Sequence, residues 1–436
     1  MFDAPTTQRL ALFGGPRAVT ARNRERWRAV RGRDIAAIAW YAARGVNTMP
    51  GGAGPVRRFE ERFAASTGSR YALMMNSGTA TLHSAYFAVG VKPGDEVIVP
   101  TYTFFATAAP ILQLGGVPVF CDIDEATLTA DPADVERRIS RRTRAICVVH
   151  VWGNPAPLDR FADIASHHGV ALVEDCSHAH GASYQGRPVG TWGDVGCFSL
   201  QGNKPVTGGE AGVAITENGA YYDRMLALGH NGRTATHQAM STFAIDNASL
   251  GLKYRPHLAA AAWANASLRR LDELNAHRSH NYELLAAALG DDTAVTPIAT
   301  HPGARRGGFF EFVLRYSPER AGGWPVGSFA RAVRAEGVPI AVDRYTRQGR
   351  HAALLHETAL FTRVGFDALG GLFGRPNRDH PVGGPAAPRV VAARMVDRLL
   401  TMPPLTVVSE QFVRQCAEAF RKVSIAAARM SDPRAA

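Results

Sequence analysis

The run CFSLQGNKPVTGGEAG, Cys197 to Gly212, joins an apolar strand-like segment (Val195 to Leu200) to a loop that carries Lys204 and then Thr207, Gly208 and Gly209. Lysine is scarce in this chain. Of 49 basic residues only Lys92, Lys204, Lys253 and Lys422 are lysines, and arginine supplies the rest. A sequence that writes arginine for plain positive charge keeps lysine where a guanidinium cannot substitute, and a nucleophilic amine that must lose its proton is such a case. The glycines let backbone approach a ligand closely. Lys204 therefore reads as an aldehyde-binding lysine, against the ordinary reading of a lysine as a solvated charge. That ordinary reading is kept for Lys92, in the turn VKPGDE, and for Lys422, near the end of a C-terminal helix.

Upstream of this run the chain alternates between two periodicities. Val56 to Ser66 puts Val56, Phe59 and Phe63 on one helical face. Ala72 to Met75 is a short apolar run that ends in Asn76-Ser77-Gly78-Thr79 and a helix from Ala80 to Val89. Strand-like and helical segments then follow in turn: Glu96 to Pro100, Phe105 to Leu114, Pro118 to Ile123, Asp131 to Ser140, Ala145 to Val151, Leu158 to His168 and Val170 to Glu174. Such alternation predicts right-handed crossovers and a largely parallel sheet covered on both faces, with ligands at the carboxyl ends of its strands.

Three segments fall at those ends: Thr101 to Phe104, Asp175 to His178, and Ser199 to Lys204. Asp175 follows the apolar run Val170 to Val173, where a solitary carboxylate is costly unless it meets a cation. A protonated pyridine nitrogen is such a cation; a cap on a following turn is the other reading. Phe104 reads as core taken alone and as a ring stacked on a flat ligand beside Asp175. Ser77-Gly78-Thr79 at a helix start presents N–H groups to a phosphate, or simply caps the helix.

Composition bounds the rest. The chain has 436 residues, enough for two domains, and an ordinary soluble composition. A formal net charge of +11 comes from scattered arginines with no aromatic-interleaved stripe, which argues against nucleic acid as partner. No apolar run of eighteen residues and no signal-like N-terminus is present, so a cytoplasmic protein without a membrane segment is expected. Cys121, Cys147, Cys176, Cys197 and Cys416 show no CxxC spacing and read as buried free thiols, with no metal site. Residues 1–50 read as an N-terminal arm, 51–270 as a large domain and 271–436 as a small one. Within the last, Phe309 to Tyr316 and Val338 to Asp343 read as strands, and Glu410 to Val423 as the last helix. Ala259 to Leu274 reads as one long helix leading into it. The Gly- and Pro-rich stretch 365–388 reads as a flap or an insertion, and Gly229 to Arg233 as a substrate-contacting loop or plain surface.

The segment from Phe59 to Gly212 resembles the DegT/StrS-type sugar aminotransferases, pyridoxal-phosphate (PLP) enzymes of fold type I. The resemblance is carried by FEERFAASTGSRYALMMNSGTATL, PGDEVIVPTYTFFATAAPI, VEDCSHAHGASYQGRPVGTWGDVGCFSL and NKPVTGGEAG, and more weakly by GLKYRPHLAAAAWANASLRRLDEL (Gly251 to Leu274). It implies an α/β fold with a large, mostly parallel α/β/α domain and a smaller C-terminal α+β domain. It further implies that Lys204 is the Schiff-base lysine, that Asp175 partners the pyridine nitrogen, that Phe104 stacks on the ring, and that Gly78, Thr79 and Ser199 hold the phosphate. His178 stands where many members have Gln, near the cofactor hydroxyl. EDCSHAH and the opening LALFGGPRAV look more like the cyclitol aminotransferase and aminohydroxybenzoate synthase branch.

Three features depart from the usual pattern. Lys253 stands where many relatives carry an Asn that reaches the phosphate of the neighbouring subunit, and GNK before Pro205 and Ala211 within GGEAG are unusual. The dehydratase branch replaces the lysine by His, so Lys204 argues against that chemistry. The expected protein is a homodimer with shared active sites that moves an amino group from glutamate or glutamine to a keto-sugar or keto-cyclitol. The alternatives are a lyase or aromatising enzyme of the aminohydroxybenzoate type and a catalytically idle PLP-binding paralogue.

Overall fold

The protein is described from a computed structural model, which covers residues 9–22, 27, 31–45, 48, 51–233, 250–345, 354–362 and 390–430. The stretch 365–388 lies outside the described residues. Seven strands form the main sheet: β1 (Tyr71–Met75), β2 (Glu96–Pro100), β3 (Val117–Cys121), β4 (Thr143–Val149), β5 (Ala171–Asp175), β8 (Val195–Ser199) and β9 (Gly212–Thr216). Two-residue strands β6 (Ser183–Tyr184) and β7 (Arg187–Pro188) intervene and pair with each other, and β6 also pairs with β11 (Ala304–Arg305). The order in the main sheet is β1-β9-β8-β5-β4-β2-β3. Only β9 runs against the others, since it pairs antiparallel with both β1 and β8.

Strand burial follows from helices on both faces. In β2, Ile98 joins one apolar cluster with Phe59, Phe63, Phe161 and Phe198, whereas Val97 and Val99 join the other with Leu82, Tyr86 and Phe120. Both faces of the strand are therefore apolar, as a covered parallel sheet requires. Helix α2 (Pro55–Thr67) begins with proline at its first position, ends at Gly68 in the left-handed conformation, and buries Val56, Phe59 and Phe63. Helix α3 (Gly78–Ala88) is capped by Ser77, whose Oγ accepts from the Ala80 N–H at 3.0 Å.

A second, antiparallel sheet has the order β10-β12-β14-β13, from β10 (Val295–Pro297), β12 (Phe312–Tyr316), β13 (Ala341–Val342) and β14 (Leu399–Met402). Its core includes Leu314, Phe329, Leu400 and, from the C-terminal helix Glu410–Arg429, Phe412 and Phe420. Leu10 and Val19 belong to the same core, so the N-terminal segment docks here.

Several expectations change. The helix expected over Phe105 to Leu114 divides into a 3-10 turn, Phe105–Thr107, and a short helix, Ala109–Gln113, with Pro110 in the latter's first turn, the position proline tolerates. The long helix expected from Ala259 ends at Leu268, and a new one runs from Leu271 to Leu289. Arg270 leaves helical geometry (φ −114°, ψ 10°) and covers the Trp27 ring at 3.9 Å, a tertiary contact that overrides local propensity. The strand expected from Phe309 begins only at Phe312, because Phe309 has a positive φ of 23°. Val338 to Asp343 contributes only Ala341–Val342. The helix Val326–Ala335 and strand β14 were not expected from the sequence. All five cysteines are buried free thiols. Among the described residues no helix is long and apolar enough to cross a membrane.

Lys422 corrects the reading of a solvated charge. Its side chain is 9% exposed; Nζ lies 2.9 Å from Glu336 Oε2 and donates to the Pro16 carbonyl at 2.7 Å. Glu336, fully buried, also accepts from the N–H groups of Ala11 (2.8 Å) and Ala18 (2.9 Å). One carboxylate thus ties the N-terminal segment to the C-terminal helix. Glu336→Ala leaves these donors unpaired, and urea unfolding should show a loss of about 3–5 kcal/mol.

Candidate active site

Strand ends β4, β5 and β8 and the start of α3 surround a cavity of about 420 Å3. Lys204, Asp175, Ser199, His178, Phe104, Gly78 and Thr79 all line it. Lys253 does not: it is exposed, and its carbonyl accepts from Asn76 Nδ2 at 3.0 Å.

Each wall has a local cause. The α3 start abuts the end of β8 so closely that a Cβ on Gly78 would lie 2.7 Å from Ser199 Cβ, and a Cβ on Gly212 would collide with the Ser77 carbonyl. Glycine is required at both positions. The N-terminus of α3 thereby faces the cavity beside the Ser199 hydroxyl, an arrangement suited to a phosphate.

Residues 200–211, which connect β8 to β9, hold Lys204. The Lys204 N–H donates to Gln201 O at 2.8 Å, Gly208 N–H to Leu200 O at 2.8 Å, and Leu200 N–H to Ala211 O at 2.8 Å. Ala211 is fully buried within this connection, so its methyl is part of the packing. Burial pushes the Lys204 amine down to about 8, with the Arg344 guanidinium acting in the same direction and Asp175 opposing. Its Nζ lies 3.9 Å from the centre of the Phe310 ring. An amine so placed is half neutral near pH 8, the form that attacks an aldehyde.

Asp175 is 5% exposed, and its carboxylate is oriented by Thr107 Oγ1, which donates to Oδ2 at 2.8 Å, and by the Ser177 N–H, which donates to Oδ1 at 3.1 Å. Its neighbour Glu174 points to the opposite side of β5. That carboxylate accepts from the N–H groups of Gly190 (2.7 Å), Trp192 (2.8 Å) and Gly193 (2.7 Å) and from His150 Nε2 (3.1 Å). His150, Glu174 and Cys176 bring possible metal ligands together, but the carboxylate is already taken up by these donors. Glu174 fixes the segment that leads into β8.

Phe104 is 46% exposed, which excludes the core reading and leaves its ring open to the cavity. His178 is held by the protein at both nitrogens. The Trp152 N–H donates to Nδ1 at 3.2 Å, which leaves the proton on Nε2, 3.2 Å from Tyr345 Oη. Burial, with Lys204 and Arg344 nearby, holds the ring well below the usual histidine range, so it is neutral. The Phe310 ring stacks on it at 4.2 Å.

Among the lining residues that escape sequence reasoning are Thr107, Phe310, Arg344 and Tyr345. Thr107 lies three residues after Phe104 and could have been found as the polar residue of that strand end. Phe310, Arg344 and Tyr345 come from beyond the main sheet, and no spacing links them to it. The loop Gly229 to Arg233 is a clamp. His230 is fully buried with Nε2 3.1 Å from Met74 O, and Arg233 makes a two-pronged pair with buried Glu60 at 2.8 and 3.0 Å.

A covered parallel sheet that gathers a lysine, an aspartate and a helix start at its carboxyl edge defines a fold type I transferase. The model of the DegT/DnrJ/EryC1/StrS aminotransferase family matches residues 30–351, and the chain belongs to that family. The L-glutamine:scyllo-inosose aminotransferase of Streptomyces griseus is 36% identical over 335 residues, covering 75% of this chain and 78% of that protein. The L-glutamine:2-deoxy-scyllo-inosose aminotransferase of Streptomyces kanamyceticus is 35% identical over 373 residues, 84% of each chain. The crystal structure of 3-amino-5-hydroxybenzoic acid synthase superposes with a TM-score of 0.75 at 26% identity, covering 93% of this chain and 99% of that one. The chain is accordingly an aminotransferase in class.

The Lys204 amine, lowered to about 8, gives a direct check. The rate at which an added aromatic aldehyde condenses with Lys204 should rise with pH and level off above about 8, not near the usual lysine value of 10.5. Stopped-flow absorbance measures it.

Proposed function

We propose that this enzyme transfers the amino group of L-glutamine to a keto-cyclitol of the scyllo-inosose type, with PLP as cofactor. The observation that carries the reading is the convergence of Lys204, Asp175 and the α3 N-terminus on one cavity. The glutamine:inosose relatives, at 35–36% identity over most of the chain, favour this reading over a lyase or an idle paralogue. The residues present fit the cofactor: an amine of lowered proton affinity, a buried carboxylate, a glycine cradle and an open aromatic ring.

When bound, PLP supplies an aldehyde that captures amines and a ring that takes up the electron pair left when a neighbouring carbon loses its proton. Lys204 would hold that aldehyde, and its Nζ, once freed, would carry a proton to and from the donor α-carbon and, in the second half, the acceptor carbon. Asp175, steadied by Thr107, would keep the ring nitrogen protonated, Phe104 would cover the ring, and Gly78, Thr79 and Ser199 would receive the phosphate. His178, in this reading, borders the cofactor hydroxyl and steadies it through Tyr345.

Addition of L-glutamine to the PLP-loaded protein should change the cofactor absorbance and release one equivalent of 2-oxoglutaramate. Scyllo-inosose should then restore the spectrum as it becomes an amine. Lys204→Ala should lose the lysine-linked band and at least 10³-fold in turnover, on the scale of removing a general base and nucleophile together. Glutamine without effect on the spectrum overturns the reading.

We further propose an arm over 1–50, a large domain over 51–270 and a small domain over 271–436, with two copies sharing their sites. Exposed Lys253 is suited to reach the phosphate of the other copy. Sedimentation with activity should show both falling together on dilution; a fully active monomer contradicts the shared site.

A further inference from the structure

Arg344 stands two residues after the end of β13 and lines the cavity. It is paired with Glu311, which precedes β12. Its guanidinium carbon lies 5.2 Å from the centre of the Phe310 ring, 5.6 Å from that of Trp152 and 5.9 Å from that of Tyr345. Aromatic faces and a carboxylate thus hold a cation at the wall of the cavity. The Arg344 side chain is 48% exposed and that of Glu311 only 15%, so the arginine is the member of the pair that opens outward.

The charged residues among the described lining are Asp175, Lys204, Glu210 and Arg344. Asp175 is committed to the ring nitrogen and Lys204 to the covalent anchor. Arg344 is left as the permanent cation. A transaminase that works in two halves must admit, in the same cavity, an amino acid carrying an α-carboxylate and a ketone carrying no charge. A bare guanidinium suits the first and is penalised by the second, since a desolvated unpaired charge is costly. A guanidinium has five N–H donors in a fork, so it can take a second carboxylate while keeping its first partner.

We propose that Arg344 is the subsite for the α-carboxylate of the amino donor, and that Glu311 is its resident counter-ion while the uncharged keto acceptor occupies the cavity. The proposal rests on the aminotransferase reading above. It assigns donor recognition to a residue pair from the second sheet, in neither the phosphate seat nor the lysine loop. Glu311 also limits how tightly the donor binds, because the two carboxylates share one cation.

The test compares L-glutamine with L-glutaminol, in which the carboxylate is replaced by CH2OH, in single-turnover donor half-reactions followed by cofactor absorbance. The PLP-loaded wild type should prefer glutamine by roughly 30- to 100-fold, the range of a charge-assisted hydrogen-bond pair. Arg344→Gln should bring that ratio to within about threefold by slowing glutamine alone, with PLP retention unchanged. Glu311→Gln should lower the apparent Kd for glutamine a few-fold and raise KM for scyllo-inosose. An unchanged ratio in Arg344→Gln, or a loss shared equally by both donors, overturns the assignment. Loss of PLP by Arg344→Gln overturns it in favour of a phosphate contact. A wild type that accepts neither donor removes the aminotransferase reading, an outcome distinct from failure of the Arg344 assignment.

Discussion

Two adjacent carboxylates at the end of β5, facing opposite ways, organise this molecule. Alternation along a strand sends Glu174 to one side of the sheet and Asp175 to the other. Glu174, wholly out of water, is acceptable there only because four donors converge on it. Three of those donors are backbone groups of the segment 190–193, just before β8, and Asp194 N–H closes on Leu172 O at 2.7 Å. The carboxylate turned away from the cavity thus sets where β8 runs, and β8 delivers Ser199 and the lysine loop. The carboxylate on the other side looks into the cavity that this construction leaves.

Electrostatics inside the cavity follows from the same economy of water. Lys204 loses proton affinity through burial and the nearby guanidinium, while Asp175 partly offsets both. His178 is kept neutral by the same surroundings and is used as a hydrogen-bonding ring between Trp152 and Tyr345. Several charges here and beyond the cavity are matched: Arg344 by Glu311, Arg233 by Glu60, and Lys422 by Glu336. The Lys204 amine, its proton affinity lowered by burial, is the one proposed to react.

Legibility in the sequence tracked locality. Alternating periods and strand-end residues pointed to the parallel sheet and to Lys204, Asp175, Phe104 and the α3 start, because each of these is set by neighbours a few residues away. Helix Leu158–His168 and strand Glu96–Pro100 were legible to the residue. What could not be read depends on contacts distant in the chain. Arg270 breaks a helix to cover Trp27, Phe309 turns with a positive φ so that Phe310 faces the cavity, and Lys422 is buried by a partner 86 residues away. Arg344 and Tyr345 follow a two-residue strand with too little pattern to announce itself. The scarcity of lysine singled out Lys204, but it gave Lys422, buried against Glu336, no separate sign.

The connection that carries Lys204 differs in kind from those that carry the other site residues. Phe104 and His178 lie on links between parallel strands, each of which must run back along the sheet before the next strand starts; the first passes through the short helix Ala109–Gln113 and the second through β6 and β7. Residues 200–211 join β8 to its antiparallel neighbour β9, and the chain returns at once along the strand it has just left. Such a return is local. Residues in it that do not pack against the core can change without moving the aspartate at the end of β5. The amine proposed to react therefore sits on a piece of the edge that leaves one strand and rejoins its neighbour, where a change need not move the residues that the longer links deliver.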